Sequence, residues 1–203
     1  MENENHLFPA FLKLEHMRVL LVGGGNVGLE KLEAILRNSP GVKIKIVADY
    51  FRTEVEALAA DNQNIQLIRR KFEWQDLDQV EIVFLATDNR SLHEEIVEIA
   101  HQKKLLVNVA DTPYLCDFYL SSVVQKGHLK IAISTNGKSP TLAKRIREYL
   151  TEMIPEGSVQ TLIDNLTDIR AQLKDDFEFK VKKLNEVTSS WMRSHAGQRS
   201  VED

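Results

Sequence analysis

The stretch Met17-Arg18-Val19-Leu20-Leu21-Val22-Gly23-Gly24-Gly25-Asn26-Val27-Gly28 decides how the rest of this chain is read. Residues 17–22 form a short, mostly apolar run that ends in glycines, as a strand buried on both faces of a parallel sheet should. Residues 23–28 spell G-x-G-x-x-G, and helix-forming residues follow from Val27 to about Leu36. In that order Gly23 allows a tight turn, Gly25 lets the backbone approach a pyrophosphate, and Gly28 lets helix and strand pack closely. The free N–H groups and positive dipole end of the helix, around Asn26 and Val27, then face the phosphates. Glycine-rich loops also serve as plain turns. Here the strand before and the helix after supply the context that a dinucleotide site needs.

Working outward, the first half of the chain keeps alternating strands and helices. Residues 42–47 (Val-Lys-Ile-Lys-Ile-Val) read as a second strand, followed by a polar helix from about Thr53 to Ala60. Residues 65–68 and 81–86 read as further strands, and a helix over about 91–102 leads into a fifth strand at 105–109. Such alternation implies crossovers and a doubly wound parallel sheet, the Rossmann arrangement. The pattern changes after Asp111. Residues 118–124 and 128–133 flank a turn containing Lys126 and Gly127 and read as an antiparallel hairpin. Ser139 and Pro140 supply an N-cap and a first-turn proline for a helix from Thr141 to about Met153. Pro155 and Gly157 should break it. Val159, Leu162, Ile163, Leu166, Ile169 and Leu173 then stand at helical spacing, a stripe that Phe177, Val181 and Leu184 extend, and the polar end from about Ser194 should fray. The fold class is therefore α/β: a nucleotide-binding Rossmann domain over 1–112, a segment over 113–150, and a helical C-terminal region over 151–203.

Composition narrows the function classes. The chain has 203 residues, 43% hydrophobic and 28% charged, with a formal net charge of −4, an ordinary globular balance. That charge argues against general nucleic-acid binding, which leaves a basic footprint. The single cysteine, Cys116, excludes an intramolecular disulfide and a cysteine-rich zinc site and suits a reducing compartment. The N-terminus lacks the marks of a secretory signal, and no apolar run approaches a membrane span. A cytoplasmic protein with no membrane partner is expected. The six histidines are scattered, and His93 and His101 are not at the four-residue spacing of a helical zinc pair, so no preassembled metal site is expected.

Further candidates follow from position. Asp49, just past the second strand, stands where an acid would bond the adenine ribose; a solvated loop acid is the competing reading, and Arg52 nearby would instead suit a 2′-phosphate. Thr87 and Asp88 end the fourth strand, where ligands of such sheets bind, although Asp88 would equally cap the next helix. Asp111 lies past the fifth strand, where a carboxylate would serve as a general base or only begin a turn before Thr112-Pro113. Lys138, Lys144, Arg145 and Arg147 cluster after residue 137, either as an anion site or as a solvated face balanced by Glu148 and Glu152.

The motifs taken together are more specific than any one of them. Val22-Gly23-Gly24-Gly25-Asn26-Val27-Gly28, Ala86-Thr87-Asp88-Asn89, Asn108-Val109-Ala110-Asp111 and Ile133-Ser134-Thr135-Asn136-Gly137-Lys138-Ser139-Pro140 occur in that order, followed by residues 142–147. The sequence resembles the precorrin-2 dehydrogenase family, which includes stand-alone enzymes, the N-terminal half of fused siroheme synthases, and bifunctional dehydrogenase–ferrochelatases. The resemblance implies an NAD-dependent dehydrogenase of siroheme biosynthesis that removes a hydride and a proton from the tetrapyrrole precorrin-2 to give sirohydrochlorin. It also implies a homodimer whose middle segment, at the expected hairpin, crosses between subunits, and no methyltransferase half. By position, Asp111 matches the family's catalytic aspartate. Asn108, Ser134, Thr135, Asn136, Gly137 and Lys138 match its substrate side, with Thr135 standing where many relatives have serine. Added ferrochelatase activity, and a non-catalytic module that senses NAD(H), are the alternatives.

Overall fold

The computed structural model describes residues 5–172 and 177–196. Five parallel strands, β1 (Arg18–Val22), β2 (Lys43–Ala48), β3 (Ile65–Arg69), β4 (Ile82–Leu85) and β5 (Leu106–Val109), form one sheet in the order β3-β2-β1-β4-β5. The helices between them are α1 (Asn26–Asn38), α2 (Thr53–Ala60) and α3 (Arg90–Gln102). The strands hold their places because both faces are covered. Val19 and Leu21 point into a core with Leu32 and Ile35 of α1 and Val55 of α2, whereas Leu20 and Val22 join Ile96, Val97 and Ala100 of α3. Each such side chain taken from water contributes about 1.5–3 kcal/mol, so a two-faced apolar strand is strongly fixed in place. The strand order reverses between β1 and β4, and the crevice at their carboxyl ends is where sheets of this kind take ligands.

The segment after β5 belongs to this first unit. Asp117 donates its N–H to Val107 O at 2.8 Å and accepts the Val107 N–H on Oδ2 at 2.8 Å, so residue 117 fills the outer hydrogen-bonding positions of β5. Phe118 packs edge-on against Phe84 with ring centroids 5.5 Å apart. The expected strand over 118–124 therefore begins only at Ser122. The chain divides into compact units after Leu120, beyond the boundary drawn at 112.

The second unit is built on β6 (Ser122–Lys126) and β7 (Leu129–Ile133), the expected antiparallel hairpin, turning at Gly127 with φ of 56°. Helix α4 (Pro140–Met153) packs on both strands, α5 (Glu156–Gln172) on β6, and α6 (Phe177–Ala196) on α5. Residues 121–150 and the helices after 151 thus share one unit. Ser139 caps α4 as expected, its Oγ accepting the Leu142 N–H at 3.2 Å. The expected break after Met153 is present, at Ile154 and Pro155, but Gly157 is not part of it: it lies in the first turn of α5, where a glycine interrupts little. The stripe read as one helix is divided between α5 and α6. Leu173 lies outside the described residues, as does the chain from 197 onward, while Ser194 falls within α6. No helix among the described residues is long and apolar enough to cross a membrane.

Candidate dinucleotide site

Gly23 turns the chain out of β1 with φ of +118°, and a Cβ there would sit 2.3 Å from Ala86 O. Only glycine fits both demands. Gly28 answers a different one. A Cβ on it would lie 2.3 Å from Gly23 O, so its bare Cα is what lets α1 press on the turn. Gly25 precedes α1 without a side-chain cap, and nothing lies within 4 Å of where its Cβ would be. The first-turn N–H groups of α1 therefore open onto free space at the positive end of the helix, a site made for phosphate.

That space is a cleft of about 890 Å³, within the range of small-molecule sites. Gly23, Gly25, Asn26, Val27, Asp49, Thr87 and Asp88, all expected from the sequence, line it together. Gly28 lies beneath the turn, where it fixes the packing. The cap expected as one role for Asp88 belongs instead to Asn89, whose Oδ1 accepts the Leu92 N–H at 3.1 Å, and Asp88 is left on the cleft wall. The open helix end, the Asp49 carboxylate past β2 and the bare Gly25 form a donor and acceptor set that suits a dinucleotide.

Other lining residues escaped the sequence reading. Tyr50, Lys71, Phe72 and Leu92 stand in the walls beside Arg52, the residue offered for a 2′-phosphate. Beneath Thr87, the His93 ring places Nε2 2.9 Å from Thr87 Oγ1, and His93 is only 3% exposed. Burial pushes its imidazole below the usual value against the opposing pull of Asp88, so it is held neutral. This pair fixes the Thr87 hydroxyl.

Asp111 lies past the carboxyl end of β5, beyond Ala110, whose N–H reaches Leu85 O at 2.9 Å. It is exposed, has φ of 54°, and is not part of the cleft lining. Aspartate tolerates this left-handed conformation better than most residues, and such strain concentrates at functional turns. The turn is held by Cys116, whose Sγ accepts the Val109 N–H at 3.2 Å and reaches Val109 O at 3.2 Å and Thr112 O at 3.5 Å. Burial pushes this thiol up, so it serves as a neutral staple rather than a nucleophile. Lys31 of α1 is near enough for the Asp111 charge to act on it. Burial lowers the Lys31 ammonium while Glu30, Cys116 and Asp111 oppose the shift. Asn108 is placed differently from expectation. It is 2% exposed, and its Nδ2 donates to Phe118 O at 2.8 Å, so it ties down the segment after the turn inside the first unit rather than standing on an open wall.

In the second unit, Ser134, Thr135, Asn136, Gly137 and Lys138 form the loop from β7 to α4. Thr135 Oγ1 donates to Ser139 O at 3.1 Å and accepts the Ser139 N–H at 3.2 Å, while Ser134 Oγ accepts the Asn136 N–H at 3.1 Å. Asn136 and Gly137 take φ of 54° and 72°. Lys138 is exposed, its N–H bonded to Thr135 O at 3.0 Å.

With this geometry in view, likeness to known proteins becomes informative. Residues 10–122 match the NAD(P)-binding family model, and residues 126–153 match the model of the sirohaem biosynthesis protein central segment. The chain belongs to this NAD(P)-binding family. The precorrin-2 dehydrogenase resemblance read from the motifs is borne out by relatives along nearly the whole chain. Siroheme synthase of Psychrobacter arcticus is 33% identical over 193 residues, 95% of this chain and 34% of that protein. Siroheme synthase of Pseudoalteromonas translucida is 36% identical over 172 residues, 84% of this chain and 35% of that one. The chain thus spans about a third of the length of these relatives. A solved structure of the precorrin-2 dehydrogenase SirC has the same fold, with a TM-score of 0.72, 24% identity, and coverage of 94% of this chain and 99% of that one.

Proposed function

We propose that the chain is a dehydrogenase that oxidises precorrin-2 to sirohydrochlorin with NAD as acceptor. The observation that carries this reading is the open N-terminus of α1 facing a cleft at the strand-order reversal, with Asp111 past the carboxyl end of the neighbouring β5. NAD, when bound, supplies the hydride acceptor. The α1 amides would hold its pyrophosphate, Asp49 would accept from the adenine ribose hydroxyls, and Thr87 and Asp88 would border the crevice for the rest of the molecule. Asp111 takes the proton that leaves the macrocycle as its neighbouring carbon gives up hydride. The two losses together leave a new double bond, and a positioned base of this kind contributes about 10²–10⁴ in rate. On the second unit, Lys138, exposed on its loop, is the group that suits the carboxylates of an acidic ligand.

The same reading includes a homodimer in the reducing cytoplasm. It is supported by a two-stranded hairpin of a kind that needs its edges covered, and by a free thiol. Light scattering on the purified chain tests the dimer.

Anaerobic precorrin-2 and NAD⁺ should yield NADH and sirohydrochlorin in equal amounts. Asp111→Asn should cut turnover by about 10²–10⁴ while NAD⁺ affinity stays within about two-fold. Equal loss of both would assign Asp111 to the fold or the cofactor. A folded protein that binds NAD⁺ but leaves precorrin-2 unchanged would overturn the reading in favour of a sensor.

A further inference from the structure

The loop between β2 and α2 carries a cation whose charge is already engaged. Arg52 donates its backbone N–H to Gly24 O at 2.9 Å, which ties this loop to the phosphate turn. Its side chain then reaches two further partners. Nε donates to Glu54 Oε2 at 3.1 Å and Nη2 donates to Glu54 Oε1, a two-pronged grip on one carboxylate. Nη1 donates to Asn26 Oδ1, on the first residue of α1. The hydrogen bond to Glu54 raises the guanidinium, and the same bond lowers the carboxyl, so both partners stay charged. Arg52 lines the cleft, whereas Glu54 is not part of the lining.

The position gives this pairing a consequence. In a sheet of this order the adenine ribose lies at the carboxyl end of β2, and an arginine there is the group that receives a 2′-phosphate. A planar guanidinium matches phosphate with two parallel hydrogen bonds. Here that fork is taken by Glu54. We infer that Glu54 is a cofactor-specificity residue: by occupying the Arg52 guanidinium it withholds the cation that a 2′-phosphate would need, and so selects the dinucleotide with a free 2′-hydroxyl. Asp49 works in the same direction, since it accepts from a hydroxyl and repels a phosphate. The division of labour is that Asp49 recognises the hydroxyl while Glu54 disarms its competitor's partner. Glu54 also lies in the first turn of α2, where an acid suits the helix dipole. That role alone would alter stability and leave the preference between the two dinucleotides untouched.

The inference rests on the dinucleotide reading of the glycine turn and not on any reaction, so binding alone tests it. NAD⁺ and NADP⁺ are titrated calorimetrically into the wild-type chain, Glu54→Gln, Arg52→Gln and the double variant, with Glu54→Ala as a second form should the glutamine variant be unstable. Glu54→Gln should tighten NADP⁺ about 3- to 5-fold relative to NAD⁺, the scale of one exposed charge pair redirected to a ligand. In the Arg52→Gln background the same substitution should change that ratio by less than about two-fold, because the freed guanidinium is gone. A gain that persists there would assign the effect to lost repulsion or to Lys71 and overturn the inference, as would an unchanged ratio in Glu54→Gln. A folded wild type that binds neither dinucleotide would overturn the dinucleotide reading itself and this inference with it.

Discussion

Two loops of this chain enter a helix through a glycine with positive φ, and they use their backbone in opposite ways. The turn at 23–28 leaves the start of α1 without a side-chain cap and opens it onto a cleft of about 890 Å³. The loop at 134–140 spends its groups on itself: Ser139 caps α4, Thr135 and Ser139 bond reciprocally, and Ser134 takes the Asn136 amide. Bare amides are a receptor for an anion, whereas a self-bonded loop is a mount for side chains, here Lys138. The difference lies in which residue precedes the helix, glycine in one case and serine in the other.

The largest effect that would break this contrast comes from Gly23→Ala. The added methyl would meet Ala86 O at 2.3 Å in a backbone conformation closed to alanine. The variant should lose about 3 kcal/mol or more of stability in denaturant titration and at least 10²-fold in NAD⁺ affinity by calorimetry. Retained binding would show that the turn is not the receptor. Next comes Thr135→Val, which keeps the shape and removes both bonds with Ser139. It should cost about 1–2 kcal/mol, while Thr135→Ser, which keeps the hydroxyl, should stay within about 0.5 kcal/mol. Equal losses for the two would shift the role from the hydroxyl to the methyl. Smallest is Ser139→Ala, a lost cap worth about 1 kcal/mol by the same titration, with NAD⁺ affinity unaltered. A drop in NAD⁺ affinity there would mean that the two loops do not have separate tasks.

The sheet was legible because it needs little but local pattern. Buried parallel strands are continuous apolar runs, and glycine or polar punctuation ends them, so Val19–Val22 and Ile82–Leu85 announce themselves. The glycine turn was legible for the same reason. What escaped depends on partners far away in sequence. Nothing local says that Arg52 will reach back to Asn26, that His93 will hold Thr87, or that Lys71 and Phe72 will close a wall. Phe118 reads as the start of a strand because it is apolar and followed by a tyrosine and a leucine, yet its ring is claimed by Phe84. Asn108 carried the family's motif, yet where it stands its Nδ2 is spent on Phe118 O, while its buried Oδ1 meets no hydrogen-bond donor among the described residues. Gly157 was misjudged because glycine disrupts a helix interior far more than its opening turn.

The strap formed by Asp117 along β5 also limits what this molecule can join. A carboxylate and a main-chain amide already fill the outward positions that an incoming strand would claim. Lateral growth of the five-stranded sheet is thereby closed on that side, and any extension by strand addition would have to start from β3, the opposite margin.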